Sequence, residues 1–353
     1  MKASRASSLV QLVSASTYDG FFLRDNLDSE GEVPAVGPYG QCPDLIQSAA
    51  PLPDPQSALS TPASWDRSYA AQPTAGANYY YARGLNGAPS GTFNGKLCLF
   101  SAPGELILFP STWKNRPLRT ARGAETVSVS AASGHIGVGA EPWVLQWPPS
   151  APAERTFTSF VVQNTAAPIP TISDWLEMSQ LLTQQLAFGW RNTATFDPVA
   201  NEGMMLQRMG LTIPGTLGDR GTVQLILTTQ GMVGDTVSLL ADKFTPERKG
   251  IALQPTAISG DGQSFGVQVS LDPGFACDLT LQYWNTSTSV PAAGATITLT
   301  ANYLVPNDRL ERAVAAGVLD SGYSRRVASQ LGVGPQAVAP LGSVTFLAVT
   351  PGS

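Results

Sequence analysis

The sequence predicts an all-β protein: an eight-stranded antiparallel jelly-roll sandwich with one or two short helices in its connections. Three observations carry this expectation. Charged residues make up 13% of the 353, against roughly 25% in an ordinary soluble domain, while the hydrophobic fraction is a normal 43%. Surface polarity is therefore supplied by Ser, Thr, Asn and Gln, and the Glu and Lys that coat exposed helices are missing. The 34 Gly and 28 Pro punctuate the chain at intervals that suit strands and turns.

The same numbers exclude several classes. A net charge of −5 and an ordinary hydrophobic content are not those of a disordered chain. The single His, His135, rules out a metal site with two or three His in one chain. It is also the one imidazole available as a general base, and in Ser133-Gly134-His135-Ile136-Gly137 it reads as a turn residue. Cys42, Cys98 and Cys277 are widely spaced, which is neither a zinc site nor a disulfide framework. They read as free thiols of a reducing compartment. No apolar run approaches the roughly 18 residues of a membrane span. The start, Met1-Lys2-Ala3-Ser4-Arg5, only superficially imitates a secretion signal, because its apolar stretch is short and broken.

Taken in order, residues 1–93 read as an extended Pro-rich arm. Asp19, Asp25, Asp28, Glu30 and Glu32 make its start acidic, and Pro34, Pro38, Pro43, Pro51, Pro53, Pro55 and Pro62 follow closely. Proline fixes φ and removes ladder donors. Residues 94–306 read as the sandwich itself. Leu97–Phe100 and Leu106–Phe109 read as a hairpin about Ser101-Ala102-Pro103-Gly104, and Thr126–Ser130 alternates strictly. Trp143–Trp147 and Thr156–Val162 are further strands. Ser173 reads as the N-cap of a helix over 173–187, with Trp175, Met178, Leu182 and Gln185 on one face. Strands follow at Met204–Ile213, Thr222–Thr228, Phe265–Leu271, Leu279–Trp284 and Thr296–Val305, with a second short helix at 234–243. Residues 307–353 read as a tail with a helix from Asp308 to Leu319 and a closing strand at Ser343–Val349.

Few constellations suggest chemistry. No nucleophile elbow and no phosphate-binding glycine loop is present. Lys114, Arg116, Arg119 and Arg122 fall within nine positions that hold no acid. With Arg325, Arg326, Lys2 and Arg5 they are the candidate nucleic-acid contacts, because neutralising phosphates needs such groups. Asp272 and Asp278 flank one strand connection and are candidate Ca²⁺ ligands, since that ion takes loop oxygens.

The order of elements from Thr156 to Pro306 resembles the single jelly-roll coat proteins of small non-enveloped icosahedral RNA viruses. These are the nodavirus, tombusvirus and sobemovirus type, and the alvernaviruses of dinoflagellates. The likeness rests on a strand ending at Asn164, the helix from Ser173, and Trp190-Arg191 leading into Leu206–Thr212. A glycine-rich turn, a return strand from Gly221 and a closing strand from Gly294 to Pro306 complete it. The resemblance implies a capsid protein, not an enzyme. It would self-assemble into a closed shell around a genome, single-stranded RNA in these families. The shell would be built in the host cytoplasm and found in the virion, with Ca²⁺ at subunit interfaces as a further expectation. The chain departs from the family in its arm, where Lys2, Arg5, Arg24, Arg67 and Arg83 face eight acids over 1–93. Two other readings fit an all-β chain: a glycan-binding spike, tail or adhesin module, and a secreted sandwich glycoside hydrolase with paired carboxylates.

Overall fold

A computed structural model describes residues 16–69, 73–147, 157–196, 204–244, 250–286, 291, 294–319, 321–331 and 336–349. The first half supplies β1 (Ser16–Thr17), β2 (Phe21–Phe22), β3 (Glu32–Val33), β4 (Leu45–Ser48), α1 (Pro55–Leu59), α2 (Pro62–Trp65), β5 (Gly76–Asn86) and β6 (Thr92–Pro103). Next come α3 (Pro110–Trp113), β7 (Arg119–Thr120), β8 (Thr126–Ala132), β9 (Ile136–Val138), β10 (Trp143–Trp147), β11 (Thr158–Asn164), α4 (Trp175–Gln184) and β12 (Phe188–Asn192). The second half supplies β13 (Thr195–Phe196), β14 (Met204–Thr212), β15 (Gly221–Gln230), β16 (Thr236–Phe244), β17 (Gly250–Ala257), β18 (Ser264–Leu271), β19 (Ala276–Trp284) and β20 (Thr296–Leu304). The described residues end with α5 (Leu310–Ala315), α6 (Ser321–Leu331) and β21 (Val338–Ala348).

The protein is mostly β, in several largely antiparallel sheets with few short helices. Four sheets carry the architecture. The first is built on β5, which pairs with β2, β4, β9 and β10, and β7 extends it beyond β10. The second has the order β12-β11-β6-β8, the third β13-β21-β20-β15-β18 and the fourth β14-β19-β16-β17. Phe21, Leu45, Tyr80 and Trp143 pack with Leu97, Leu99, Phe160 and Val162 between the first and second sheets. The opposite face of the second sheet, with Phe100, Val161, Phe188 and Trp190, joins the largest core. That core also holds the inward residues of the third and fourth sheets, among them Leu225, Leu299, Val237 and Leu281. Strands β11 and β12 of this second sheet are therefore covered on both faces, while β8 keeps one face in solvent.

Local sequence accounts for α4. Asp174, one position after the expected Ser173, is the N-cap. Its carboxylate accepts from the Leu176 N–H at 2.8 Å, and the Glu177 carboxylate accepts in return from the Asp174 N–H at 3.1 Å. Such a reciprocal pair satisfies donors that the first turn leaves open. Trp175 and Met178 then enter the core.

Several expectations change. The boundary at 93/94 falls inside β6, which pairs with β8 and β11. Strands β2, β4 and β5 of the segment before it are packed rather than draped over the body: Phe21 and Phe22 are buried and pair with Asn86 and Leu85. The Pro-rich composition hid this, since the prolines lie between short pairing segments. The hairpin over 97–109 does not form. Strand β6 runs straight through to Pro103, pairing with β8 and β11, and Leu106–Phe109 is buried without being a strand. Residues 234–243 form no helix. Val237 and Leu239 point to the core from β16, whose two neighbours β17 and β19 satisfy its backbone. Among the described residues the strand count exceeds eight within 94–306 alone, where β7–β20 lie, and segments outside it, notably β5 and β21, are also full members of sheets. Beyond Pro306 the helix is shorter than expected, at Leu310–Ala315.

Candidate nucleic-acid interface

The first cationic cluster lies on one connection from α3 to β7 and onward. Trp113 anchors it: the side chain is fully buried, and its indole N–H donates to the Leu108 carbonyl at 2.9 Å. The backbone is tied to the second sheet by Ser101 N–H to Arg116 O at 3.1 Å and Leu118 N–H to Leu99 O at 2.7 Å. A rigid base thus presents Lys114, Arg116, Arg119 and Arg122, all exposed. Glu125, just beyond the acid-free stretch, takes Arg119 into an ion pair at 2.7 Å. Lys114, Arg116 and Arg122 have no ion pair among the described residues.

The second cluster, Arg325 and Arg326, is exposed on α6. The α6 helix packs on β18 and β21, whereas α3 packs on β6, so the two clusters stand on different elements. Lys2 and Arg5 lie outside the described residues. Arg326 has a second role. Its guanidinium is 5.8 Å from the Tyr323 ring centroid, and it borders a cleft of about 240 Å³. One wall of that cleft is threonine: Thr296, Thr298 and Thr300 face it, alternating with core-facing Ile297, Leu299 and Ala301 on β20. Thr228, Gln230 and Tyr323 complete the lining. Burial pushes the Tyr323 hydroxyl above its ordinary pKa, and this hydroxyl donates to the Asn302 side-chain oxygen.

The two candidate calcium ligands are placed differently from expectation. Asp272 accepts from Arg220 Nε at 2.5 Å and Arg220 Nη2 at 3.0 Å. That pairing holds its carboxyl below the usual range. Asp278 stands on β19, its backbone N–H given to Asp242 at 2.8 Å. Among the described residues no three His, Cys, Asp or Glu side chains gather to hold a metal ion. His135 is exposed at a turn, its Nδ1 2.8 Å from the Ser133 carbonyl oxygen. The three cysteines are free and buried, and burial pushes the Cys42 thiol up to about 12. No helix among the described residues is long and apolar enough to cross a membrane.

One charged cluster escaped the sequence reading. Asp44 accepts from Arg24 at 2.7 Å and from Arg83 at 3.1 Å, and all three side chains are buried. Trp65 lies under Arg24, 3.4 Å from guanidinium carbon to ring centroid. Arg191 on β12 is buried beside them and donates to the carbonyls of Cys42 at 2.6 Å and Leu45 at 2.8 Å. The available signal was Arg191 directly after the apolar run Phe188-Gly189-Trp190.

Comparison with known proteins adds little. No protein-family description matches the chain, and no curated protein matches it. Among solved structures, one titled as manganese lipoxygenase of Gaeumannomyces graminis with part of a zonadhesin of Komagataella pastoris is 11% identical. It covers 65% of this chain and 84% of its own, with a TM-score of 0.15. CfaE, the adhesive subunit of the CFA/I fimbria of enterotoxigenic Escherichia coli, is 10% identical, covering 96% and 94%, with a TM-score of 0.18. Scores this low bear on neither fold nor function.

Proposed function

We propose that this chain is a viral coat protein whose copies assemble into a closed icosahedral shell around an RNA genome. The observation that carries the reading is the outer face of the β14-β19-β16-β17 sheet. Its edge strand β14 exposes Met204 at 38% and Leu206 at 47%, and Met204 stands in register with half-buried Trp284. Apolar side chains on an edge strand, which is bonded outward at Gly210 to Gly104 and Leu106, form a surface that proteins cover with a partner. The low charge density supports the reading, because each unpaired charge buried between copies would be costly. In place of one jelly roll over 94–306, the proposal takes the eight consecutive strands β14–β21, arranged as two facing sheets, as the wall. Lys114, Arg116 and Arg122 are the proposed genome contacts, and the chain is assigned no catalysis. Assembly in the host cytoplasm and residence in the virion follow from the same proposal.

Light scattering and electron microscopy of the purified full chain test this directly. Closed particles tens of nanometres across are expected. The Leu206→Glu variant should keep its unfolding midpoint and lose the particles. A wild-type chain that stays monomeric at high concentration overturns the proposal.

One observation favours a second reading, a glycan-binding module. The threonine-walled cleft beside Tyr323 and Arg326 offers hydroxyls, an aromatic ring and a cation, as saccharide recognition requires. A monomer that binds oligosaccharides on an array, and loses them in Arg326→Ala, would select it.

A further inference from the structure

We propose that the cavity beside Arg191 is a binding site for a phosphate-sized oxyanion. The cavity measures about 220 Å³ and is lined by Gln41 and Ser68. Thr195, Thr296 and Thr345 belong to its wall, and among the described residues no carboxylate lines it. The charged wall group among the described residues is Arg191, only 3% exposed.

Charge bookkeeping around Arg191 is incomplete. Three buried guanidinium groups, Arg24, Arg83 and Arg191, meet one paired carboxylate, Asp44. Both ion pairs of Asp44 go to Arg24 and Arg83, and Arg191 has none among the described residues. Asp25 does not supply the missing charge. Its two carboxyl oxygens are buried without a hydrogen-bond partner, and burial, with Glu32 and Asp44 nearby, favours its neutral form. Arg191 instead leans on neutral acceptors, the two carbonyls named above and Ser68 Oγ at 3.0 Å. Those contacts occupy three of the five N–H donors a guanidinium carries. Burial lowers its pKa to about 10, and the nearby Asp44 charge acts against that fall.

An oxyanion matches this wall in every respect. It would form charge-assisted bonds to the planar fork of Arg191. Its remaining oxygens would accept from threonine hydroxyls and the Gln41 amide. A water molecule occupies about 30 Å³, so the cavity has room for a phosphate with some hydration. The site is separate from the proposed assembly face and does not depend on it.

The test is thermal unfolding of the full chain in increasing inorganic phosphate, with ionic strength held constant by sodium chloride. A saturating rise of the midpoint with phosphate, absent with chloride, is expected, and sulfate should reproduce it. Thr195→Leu fills the cavity from a half-buried position and should unfold normally while losing the response. Arg191→Lys keeps the charge but loses the fork, and should weaken the apparent affinity by about tenfold or more. An equal response to chloride, or an unchanged phosphate response in Thr195→Leu, overturns the site. A short RNA with and without a 5′-phosphate distinguishes a free ion from a terminal phosphate: enhanced binding of the phosphorylated form, lost in Thr195→Leu, assigns the terminal phosphate.

Discussion

Strands β11 and β14 obey different rules in one chain. All seven residues of β11 are buried, because the sheets on either side leave it no solvent face. Its polar members must find partners inside: Gln163 donates to Ala167 O at 2.6 Å, and Ser159 to the Asn192 side-chain oxygen. Along β14 burial alternates, with Met205, Gln207, Met209 and Leu211 inward and Met204, Leu206 and Arg208 outward. A strand with one wet face announces itself by period two, whereas a doubly covered strand has no such signature. The lesson extends to charge. The doubly covered region can hold Arg24, Asp44, Arg83 and Arg191 because each is anchored, while exposed pairs such as Arg220 and Asp272 lie on the rim.

This contrast can be broken most sharply at Asp44. Asp44→Ala leaves two buried guanidinium groups uncompensated and should cost about 3–5 kcal/mol, read by urea unfolding. Asp272→Ala should leave the midpoint where it was. An equal effect of the two would dissolve the distinction between covered and rim charges. Next comes Phe160→Ala on β11, expected to cost about 3–5 kcal/mol as a cavity between packed layers. Leu206→Ala on the outer face of β14 should stay within about 0.5 kcal/mol. A smaller effect comes from pH. Asp25 is buried, its folded pKa raised, with Glu32, Asp44 and Cys42 as its titratable neighbours. Its contribution is fully present below the unfolded carboxyl pKa of about 3.9 and is lost as pH rises through the raised folded value. Asp25→Asn should flatten that slope in a midpoint-against-pH series, and an unchanged slope would mean that other carboxyls carry it.

Legibility followed the same divide. The strands at Thr126–Ser130 and Met204–Ile213 were readable because each wets one face, and α4 was readable from its apolar stripe and cap. The segment before residue 94 misled, since β2 and β4, two of its pairing pieces, have only two and four residues, and prolines crowd the stretch from Pro34 to Pro62. Residues 234–243 misled because Val237, Leu239 and Leu240 fit helical spacing as well as strand spacing, and only pairing with β17 and β19 decides between them. Of the candidate site, the exposed cations were visible as a local run. The Arg191 cavity was not, because its wall is gathered from Gln41, Ser68, β12, β13, β20 and β21, hundreds of residues apart.

Strand β21 has a consequence for how the chain reaches its native state. It lies between β20 and β13, pairing in parallel with the latter. Its Ser343 carbonyl accepts from Asn192 Nδ2 at 2.8 Å, and its Ser343 hydroxyl donates to the Tyr39 carbonyl. A ribosome releases this strand after every one of its partners has been made. The third sheet therefore waits, with the backbone of β13 and one edge of β20 unsatisfied, until β21 has emerged. Such long-range closure makes folding slow and exposes strand edges meanwhile, so shielding by chaperones during synthesis becomes a condition of yield.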